Sequence, residues 1–287
     1  MTNAARLDLH MHSTVSDGSD SPEQLLMKVK NAGIRYFALS DHDDFAGCSM
    51  IKDILTEGDP VFIDGVEFSC RDDQGKYHIL GYGYDPESQD IINVVNTGHG
   101  YRMNKARERV NFVVEEFGFK LPQEEIDKFM SLPNPGKPHL GNLLVKYGYA
   151  PNKEVAIKDI IDKAPFHDDY LRPEFAIQGI LASGGIPVLA HGIYGSGDQL
   201  IIGEEMDERM ERLVGFGLKG VEAFYSGFTF KMRDMMLSYA DQYDLYVTAG
   251  SDYHGTNKMI ELGDNGLAEY GEWPARLSRF IDTVVKK

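Results

Sequence analysis

The sequence predicts an α/β fold: a barrel of parallel strands and helices, interrupted by a helical insert. Three observations point to it. Before about residue 90 and after about residue 171, short apolar runs alternate with amphipathic segments, as in βαβ units. Between them, roughly 80 residues show helical periodicity and no convincing strand. Residues bearing imidazole or carboxylate groups follow the ends of the predicted strands, one strand after another. The expected division is therefore a barrel over 1–90 and 171–287, with 91–170 as a helical insert capping its active end.

The first strand is expected at Arg6–His10, followed by a polar loop through Asp17 and Gly18. In a strand, alternate side chains share a face, so Asp8, His10 and His12 point together while Leu7 and Leu9 pack the other way. Ser21 is a plausible N-cap, Pro22 suits the first helical position and Gln24 completes a capping box; Gly33 should end that helix. The second strand is Ile34–Leu39. A helix at Cys48–Leu55 leads to a third strand, Val61–Val66, ending at Glu67. Asp72-Asp73-Gln74-Gly75 reads as a turn, and Tyr77–Tyr84 returns as an extended segment carrying His78.

In the insert, Val110, Val113, Val114 and Phe117 are expected on one apolar helical face, and Arg102, Arg107 and Arg109 on a solvated one. Shorter helices are expected at Glu124–Met130, His139–Tyr147 and Lys153–Lys163. The alternation then resumes with helix Pro173–Ala182, strand Ile186–Ala190 ending at His191, and a Gly-rich loop over Gly192–Gly203. Helix Glu204–Gly215, strand Gly220–Phe224, helix Lys231–Tyr243 and strand Leu245–Ala249 complete it. Tyr225 and Ser226 close one strand at the site mouth, and Ser251 and Asp252 follow the last.

The 287 residues are 42% hydrophobic and 26% charged, as in an ordinary soluble globular protein. No apolar run is long enough to span a bilayer, and the N-terminal residues lack a signal peptide's apolar core, so no membrane partner is expected. Cys48 and Cys70 are too few for a disulfide framework, which suits a reducing cytoplasm. A formal net charge of -16 argues against a partner of long nucleic acid, which needs clustered Lys and Arg. It leaves room for a small phosphorylated substrate held through cations.

Of the nine histidines, those at 10, 12, 42, 78, 191 and 254 fall at strand ends or in the return segment, whereas His99, His139 and His167 lie in the insert. Active sites of parallel barrels form at the carboxyl ends of the strands, so this alignment points to a shared centre. Imidazoles and carboxylates without thiolates suit borderline divalent ions, Mn²⁺ first, with Fe²⁺ or Zn²⁺ as alternatives. Nine candidate ligands (His10, His12, Asp17, His42, Glu67, His78, His191, Asp252 and His254) would serve two or three ions. Glu67 is the best bridging group. Asp8 is a candidate orienter of a ligand histidine.

Eight stretches carry a specific resemblance: Asp8-Leu9-His10-Met11-His12-Ser13, Asp17-Gly18, Ala38-Leu39-Ser40-Asp41-His42-Asp43, Gly65-Val66-Glu67-Phe68-Ser69, His78-Ile79-Leu80-Gly81-Tyr82, Gly136-Lys137-Pro138-His139, Pro187-Val188-Leu189-Ala190-His191 and Gly250-Ser251-Asp252-Tyr253-His254-Gly255. In this order the chain resembles the polymerase and histidinol phosphatase (PHP) family of metal-dependent phosphoesterases. It is most similar to the insert-containing subgroup that acts on nucleotide phosphates. The resemblance implies a distorted (β/α)7 TIM-like barrel. It also implies three metal groups: His10, His12, Glu67 and Asp252; Glu67, His78 and His191; Asp17, His42 and His254. Lys137 and His139 would contact substrate, although Lys137 stands where arginine is usual and cannot form a bidentate fork with phosphate. Gly192 stands where proline commonly follows the histidine.

The expected activity is hydrolysis of nucleotide phosphate monoesters, such as nucleoside 3′,5′-bisphosphates and 5′-phosphorylated short oligonucleotides. Attack by a metal-activated hydroxide would leave no need for a Ser or Cys nucleophile. Asp17, His42 and His254 are the catalytic candidates for protonating the leaving group. Two alternatives stand beside this reading. One is a histidinol-phosphate-type phosphatase, against which the insert and Gly136-Lys137-Pro138-His139 argue. The other is an amidohydrolase-like C–N hydrolase, against which the paired Asp252 and His254 argue.

Overall fold

The computed structural model describes residues 6–165, 170–195 and 199–286. His167 and part of the expected Gly-rich loop lie outside them, as do the first five residues. Seven strands form one sheet in sequence order: β1 (Arg6–Asp8), β2 (Ile34–Leu39), β3 (Val61–Asp72), β4 (Gly75–Tyr82), β5 (Ile186–Ala190), β6 (Gly220–Tyr225) and β7 (Tyr246–Gly250). The sheet nearly closes into a barrel. Its seam is made by the chain just past the first and last strands, where Leu9 N donates to Ala249 O (2.9 Å) and Asp252 N to His10 O (2.8 Å).

Not all strands run parallel. β4 pairs antiparallel with both β3 and β5, so the expected run of parallel strands is broken at its centre. The turn at Asp72–Gly75 makes a hairpin, and a hairpin reverses the chain. β3 is also longer than expected. It leaves β2 after Asp64 and continues to Asp72 against β4, which places Glu67 inside a strand rather than beyond its end.

The first helix, α1 (Pro22–Asn31), starts as its sequence predicts. Ser21 Oγ accepts from Gln24 N (3.3 Å), Gln24 Oε1 accepts from Ser21 N (2.9 Å), and Gly33 turns the chain away at φ 66°. Helix α2 (Ala46–Ile54) completes that unit. The 27-residue α3 (Gln89–Glu115) follows; its start buries Ile91, Val94 and Val95 in the barrel core, and its end buries Ala106, Val110 and Val113 in a separate cluster. That cluster also gathers Phe129 from α4 (Gln123–Met130) and Leu140 and Leu144 from α5 (Lys137–Lys146). Helix α6 (Lys153–Val155) runs on through a wide turn at Ala156–Ile160, whose Ile160 joins the same cluster, and a tight turn at Ile161–Lys163.

Helices α7 (Pro173–Ala182), α8 (Glu204–Gly215), α9 (Phe230–Gln242) and α10 (Ala275–Val284) belong to the barrel, lending Ile177, Leu213, Met236 and Phe280 to its core. Two expectations on α3 fail. Val114 and Phe117 are exposed, while Arg102 and Arg109 are buried. The buried stripe runs through Gly98, Arg102, Lys105 and Arg109, so cations occupy the inward face and Arg107 alone of the three arginines is exposed. Among the described residues no helix is long and apolar enough to cross a membrane.

Candidate metal centre

Each strand delivers its chemistry to one end of the barrel. His10 and His12 follow β1, His42 follows β2, His191 follows β5, and Asp252 and His254 follow β7. Glu67, opposite Leu80, and His78, opposite Ser69, are diagonal neighbours in the β3–β4 hairpin, and Asp17 lies in the loop before α1. Seven of the nine are buried; His78 and His191 are partly exposed at the mouth.

Glu67 is the hub. One of its oxygens, Oε2, lies 3.3 Å from His10 Nε2, 3.1 Å from His12 Nε2 and 3.1 Å from His42 Nδ1. The other, Oε1, lies 2.9 Å from His78 Nδ1 and 3.1 Å from His191 Nε2. Asp252 Oδ1 approaches His12 Nε2 (3.3 Å) and His254 Nδ1 (3.3 Å), and Asp17 Oδ1 approaches His254 Nε2 (3.2 Å). Three sets of donor atoms are compact enough to surround a cation, each within 4.8 Å of one another: His10, His12, Glu67 and Asp252; His12, Asp17, His42 and His254; His42, Glu67 and His78. The first coincides with an expected group. The second adds His12 to an expected group, and the third holds His42 where His191 was expected.

The chemistry of these donors fits divalent cations. His10 Nε2, His12 Nε2, His42 Nδ1 and Glu67 Oε2 are buried without a hydrogen-bond partner among the described residues. Buried polar atoms are nearly always paired, so four orphans converging on one point mark a place for a ligand that accepts lone pairs. Burial raises the carboxyls of Glu67, Asp17 and Asp252, but the surrounding imidazoles, with Lys258 beside Asp252, outweigh it and hold all three well below the usual range. Burial lowers His42 and His254, leaving neutral imidazoles of the kind that bind metals. His12 is the opposite case: burial lowers it, yet the nearby carboxylates of Asp252 and Glu67 lift it to about 9. A cation at this point would replace that proton.

A surrounding layer orients the imidazoles. Glu222, fully buried on β6, places Oε1 3.0 Å from His10 Nδ1 and accepts His191 N (2.8 Å) through Oε2. Asp41 holds Ser13 N (2.8 Å) and Ser16 Oγ (2.6 Å), and Ser16 Oγ stands 3.4 Å from His12 Nδ1. Tyr225 OH (3.0 Å) and Lys258 Nζ (2.5 Å) donate to Asp252 Oδ2. Asp8 does not orient an imidazole. It accepts from Ser251 N (2.9 Å), Ser251 Oγ (2.6 Å) and Gly263 N (2.7 Å), tying backbone rather than ring, because β1 ends at Asp8 and strand alternation does not carry on to His10. Three of the four non-glycine residues with positive φ, Asp43, His191 and Asp252, lie in or beside this cluster, where strain tends to collect in functional sites.

Sequence reasoning missed Glu222 and Lys258. An acid inside the apolar strand Gly220–Tyr225 was a usable signal for the first; no local signal marks the second. Of the expected substrate contacts, His139 accepts Gly136 N at Nδ1 (3.1 Å) as part of the α5 start, and Lys137 pairs with Asp162 while lining the chamber beside the cluster. That chamber has one lobe of about 750 Å³ toward His191 and another of about 680 Å³ toward Asp17 and His254. Eleven of the chain's 29 lysines and arginines line the two lobes.

The family model for the PHP domain matches residues 8–120, the stretch that holds His10, His12, Asp17, His42, Glu67 and His78. That stretch carries a PHP domain. Three relatives match nearly the whole length of the chain. A 5′-3′ exoribonuclease of Haemophilus influenzae is 28% identical, covering 91% of this chain and 94% of its own. A phosphoribosyl 1,2-cyclic phosphate 1,2-diphosphodiesterase of Eggerthella lenta is 28% identical, covering 86% and 94%. A 3′,5′-nucleoside bisphosphate phosphatase of Chromobacterium violaceum is 25% identical, covering 87% of each. A Bifidobacterium adolescentis structure assigned as a metal-dependent phosphoesterase superposes with a TM-score of 0.79 at 26% identity, over 90% of this chain and 91% of that one.

Proposed function

We propose that this protein is a metal-dependent phosphoesterase of the PHP family that hydrolyses phosphate esters of nucleotides, with nucleoside bisphosphates and short 5′-phosphorylated oligonucleotides as its substrate class. The observation that carries the reading is the convergence of four partnerless buried atoms beside a chamber lined with cations in a protein of net charge -16. An acidic protein that gathers its cations around one cavity is built for an anion. The names of its relatives supply the nucleotide part of the assignment.

His10, His12, Glu67 and Asp252 are assigned to one cation, His12, Asp17, His42 and His254 to a second, and Glu67, His78 and His191, with His42 alongside, to a third. Bound divalent ions supply Lewis-acid stabilisation of charge on the phosphoryl oxygens, with Mn²⁺ the first candidate. The chain's residues do the rest. Glu67 offers its two oxygens to opposite sides of the cluster, Glu222 fixes the His10 ring, and Lys258 and Tyr225 hold Asp252 in place. Asp17, His42 and His254 edge the lobe where a leaving group would depart. Their catalytic role is to hold the second cation there rather than to donate a proton, since Asp17 is ionised and both imidazoles are neutral ligands. The helical segment from α3 to Lys163 is assigned the role of a cap, since Lys137, Lys158 and Asp162 form part of the chamber wall.

The test is phosphate release by metal-stripped protein refilled with Mn²⁺. The panel holds a nucleoside 3′,5′-bisphosphate, a 5′-mononucleotide, a 5′-phosphorylated trinucleotide, a ribose cyclic phosphate, histidinol phosphate and an amide. Release from nucleotides that His10→Ala abolishes is the expected result. Silence on every phosphate ester with ions bound would overturn the assignment.

A further inference from the structure

Helix α3 turns a row of cations inward. Arg102, Lys105 and Arg109 are three and four residues apart, so they share one helical face, and all three are at most 8% exposed. Arg102 has a structural employment: Nε donates to Asp43 Oδ2 (3.1 Å) and a terminal nitrogen to Ser69 Oγ (3.1 Å). Lys105 has none of this kind. Among the described residues no carboxylate lies within ion-pair distance of it; its Nζ sits instead 3.6 Å from the centroid of the Tyr170 ring. Lys76 approaches the same ring at 5.3 Å. Burial first, then the charges of Arg102 and Arg109, push the Lys105 ammonium down to about 7.

A buried ammonium between two guanidiniums destabilises the fold that holds it, and such an arrangement persists where a ligand supplies the missing charge. Lys105, Arg109, Lys76 and Tyr170 line the same lobe as Asp17, His42 and His254. The lobe, at about 680 Å³, is of nucleotide-binding size. An anion held by these residues would therefore belong to a molecule that also reaches the cluster. A phosphate suits the place better than a carboxylate, because it brings up to two charges and three acceptor oxygens to several cations.

We propose that Lys105 and Lys76, at the Tyr170 ring, together with Arg109 in the same lobe form a second anion subsite that holds a phosphate of the substrate other than the one hydrolysed. The subsite selects nucleotides carrying two phosphates over those carrying one. This deepens the phosphoesterase reading and rests on it.

The experiment compares wild type, Lys105→Met and Lys105→Arg on adenosine 3′,5′-bisphosphate and 4-nitrophenyl phosphate, with the Mn²⁺-filled protein. In Lys105→Met the ratio of kcat/KM values, bisphosphate over nitrophenyl ester, is expected to fall about 10- to 100-fold, mainly through KM, the range of one hydrogen bond to a charged group. Lys105→Arg should recover part of the ratio. A ratio unchanged in Lys105→Met would overturn the subsite. Calorimetry of adenosine 3′,5′-bisphosphate on metal-free protein separates this from the wider assignment. Should wild type hydrolyse neither ester, weaker binding to Lys105→Met than to wild type still supports the subsite, and equal binding refutes it.

Discussion

Glu222 and His10 are joined by a 3.0 Å contact at the floor of the barrel, where both are fully buried. The contact turns His10 Nδ1 away from the cluster and leaves Nε2 aimed into it. Gly250 makes room for the pair: a Cβ there would collide with the His10 side chain and reach 2.6 Å from Glu222 Oε1. Because Glu222 also accepts His191 N, one carboxylate sets the positions of two residues assigned to different cations.

Removing that carboxylate should therefore weaken metal binding more than it weakens folding. Glu222→Gln and Glu222→Ala are expected to lower Mn²⁺ affinity about 10- to 100-fold, as loss of a histidine's outer partner does elsewhere. Metal content after dialysis, measured by plasma mass spectrometry, reads the effect without any activity assay. Full retention of metal by Glu222→Ala would show that packing alone orients His10.

Metal removal should destabilise the whole barrel, since the cluster ties the ends of β1, β2, β5 and β7 to the β3–β4 hairpin. A ligand at 100 times its Kd stabilises by about 2.7 kcal/mol, which raises Tm by about 5 to 10 °C in a chain of this size. Thermal melting in excess EDTA and again with Mn²⁺ measures the shift. Glu67→Gln, which removes charge from the group that touches five histidines, should lose most of it.

Much of this site was legible in the sequence, for reasons that differ by residue. The capping box at Ser21 and Gln24 and the ends of α7, β5 and α8 follow from local chemistry, and the structure has them where the sequence puts them. The His-x-His spacing predicted a shared centre for His10 and His12, and they meet there although β1 itself ends at Asp8. The antiparallel pairing of β4 was not legible, because a turn reveals a reversal but not which strand lies on the far side. Nor was the inward direction of Lys105, since a cation on an amphipathic helix is ordinarily solvated and only tertiary packing turns this one in.

Lys105 should also govern how stability varies with pH. Its folded value of about 7 lies below the ordinary lysine value, so below pH 7 both states carry the proton and the full burial penalty is present. Between pH 7 and about 10.4 the native state sheds its proton while the unfolded chain keeps it, and stability rises with pH across that window. Lys105→Met removes the penalty. The variant should be more stable than wild type by on the order of 3 kcal/mol at pH 6, with the gain shrinking toward pH 10. Urea denaturation at pH 6, 8 and 10 checks both sign and slope. A variant less stable at pH 6 would mean that the ammonium supports the fold.

Arg102 should behave in the reverse way, although it stands one turn from Lys105 on the same face. Its guanidinium meets Asp43, itself 1% exposed and held at φ 51°, and Asp43 Oδ1 accepts Ser69 N (3.1 Å). Asp43 N in turn donates to Glu67 O (2.9 Å), so the pair fastens α3 to the backbone that carries His42 and Glu67. Breaking a buried pair strands the remaining charge, at a cost of about 3 to 5 kcal/mol. Arg102→Ala is thus expected to lose that much stability by urea denaturation and to hold Mn²⁺ more weakly. Arg102→Ala combined with Asp43→Asn, which leaves no stranded charge, should recover a large part of the stability. If the double variant were as unstable as the single, the guanidinium would be acting through its packing and its bond to Ser69 rather than through Asp43.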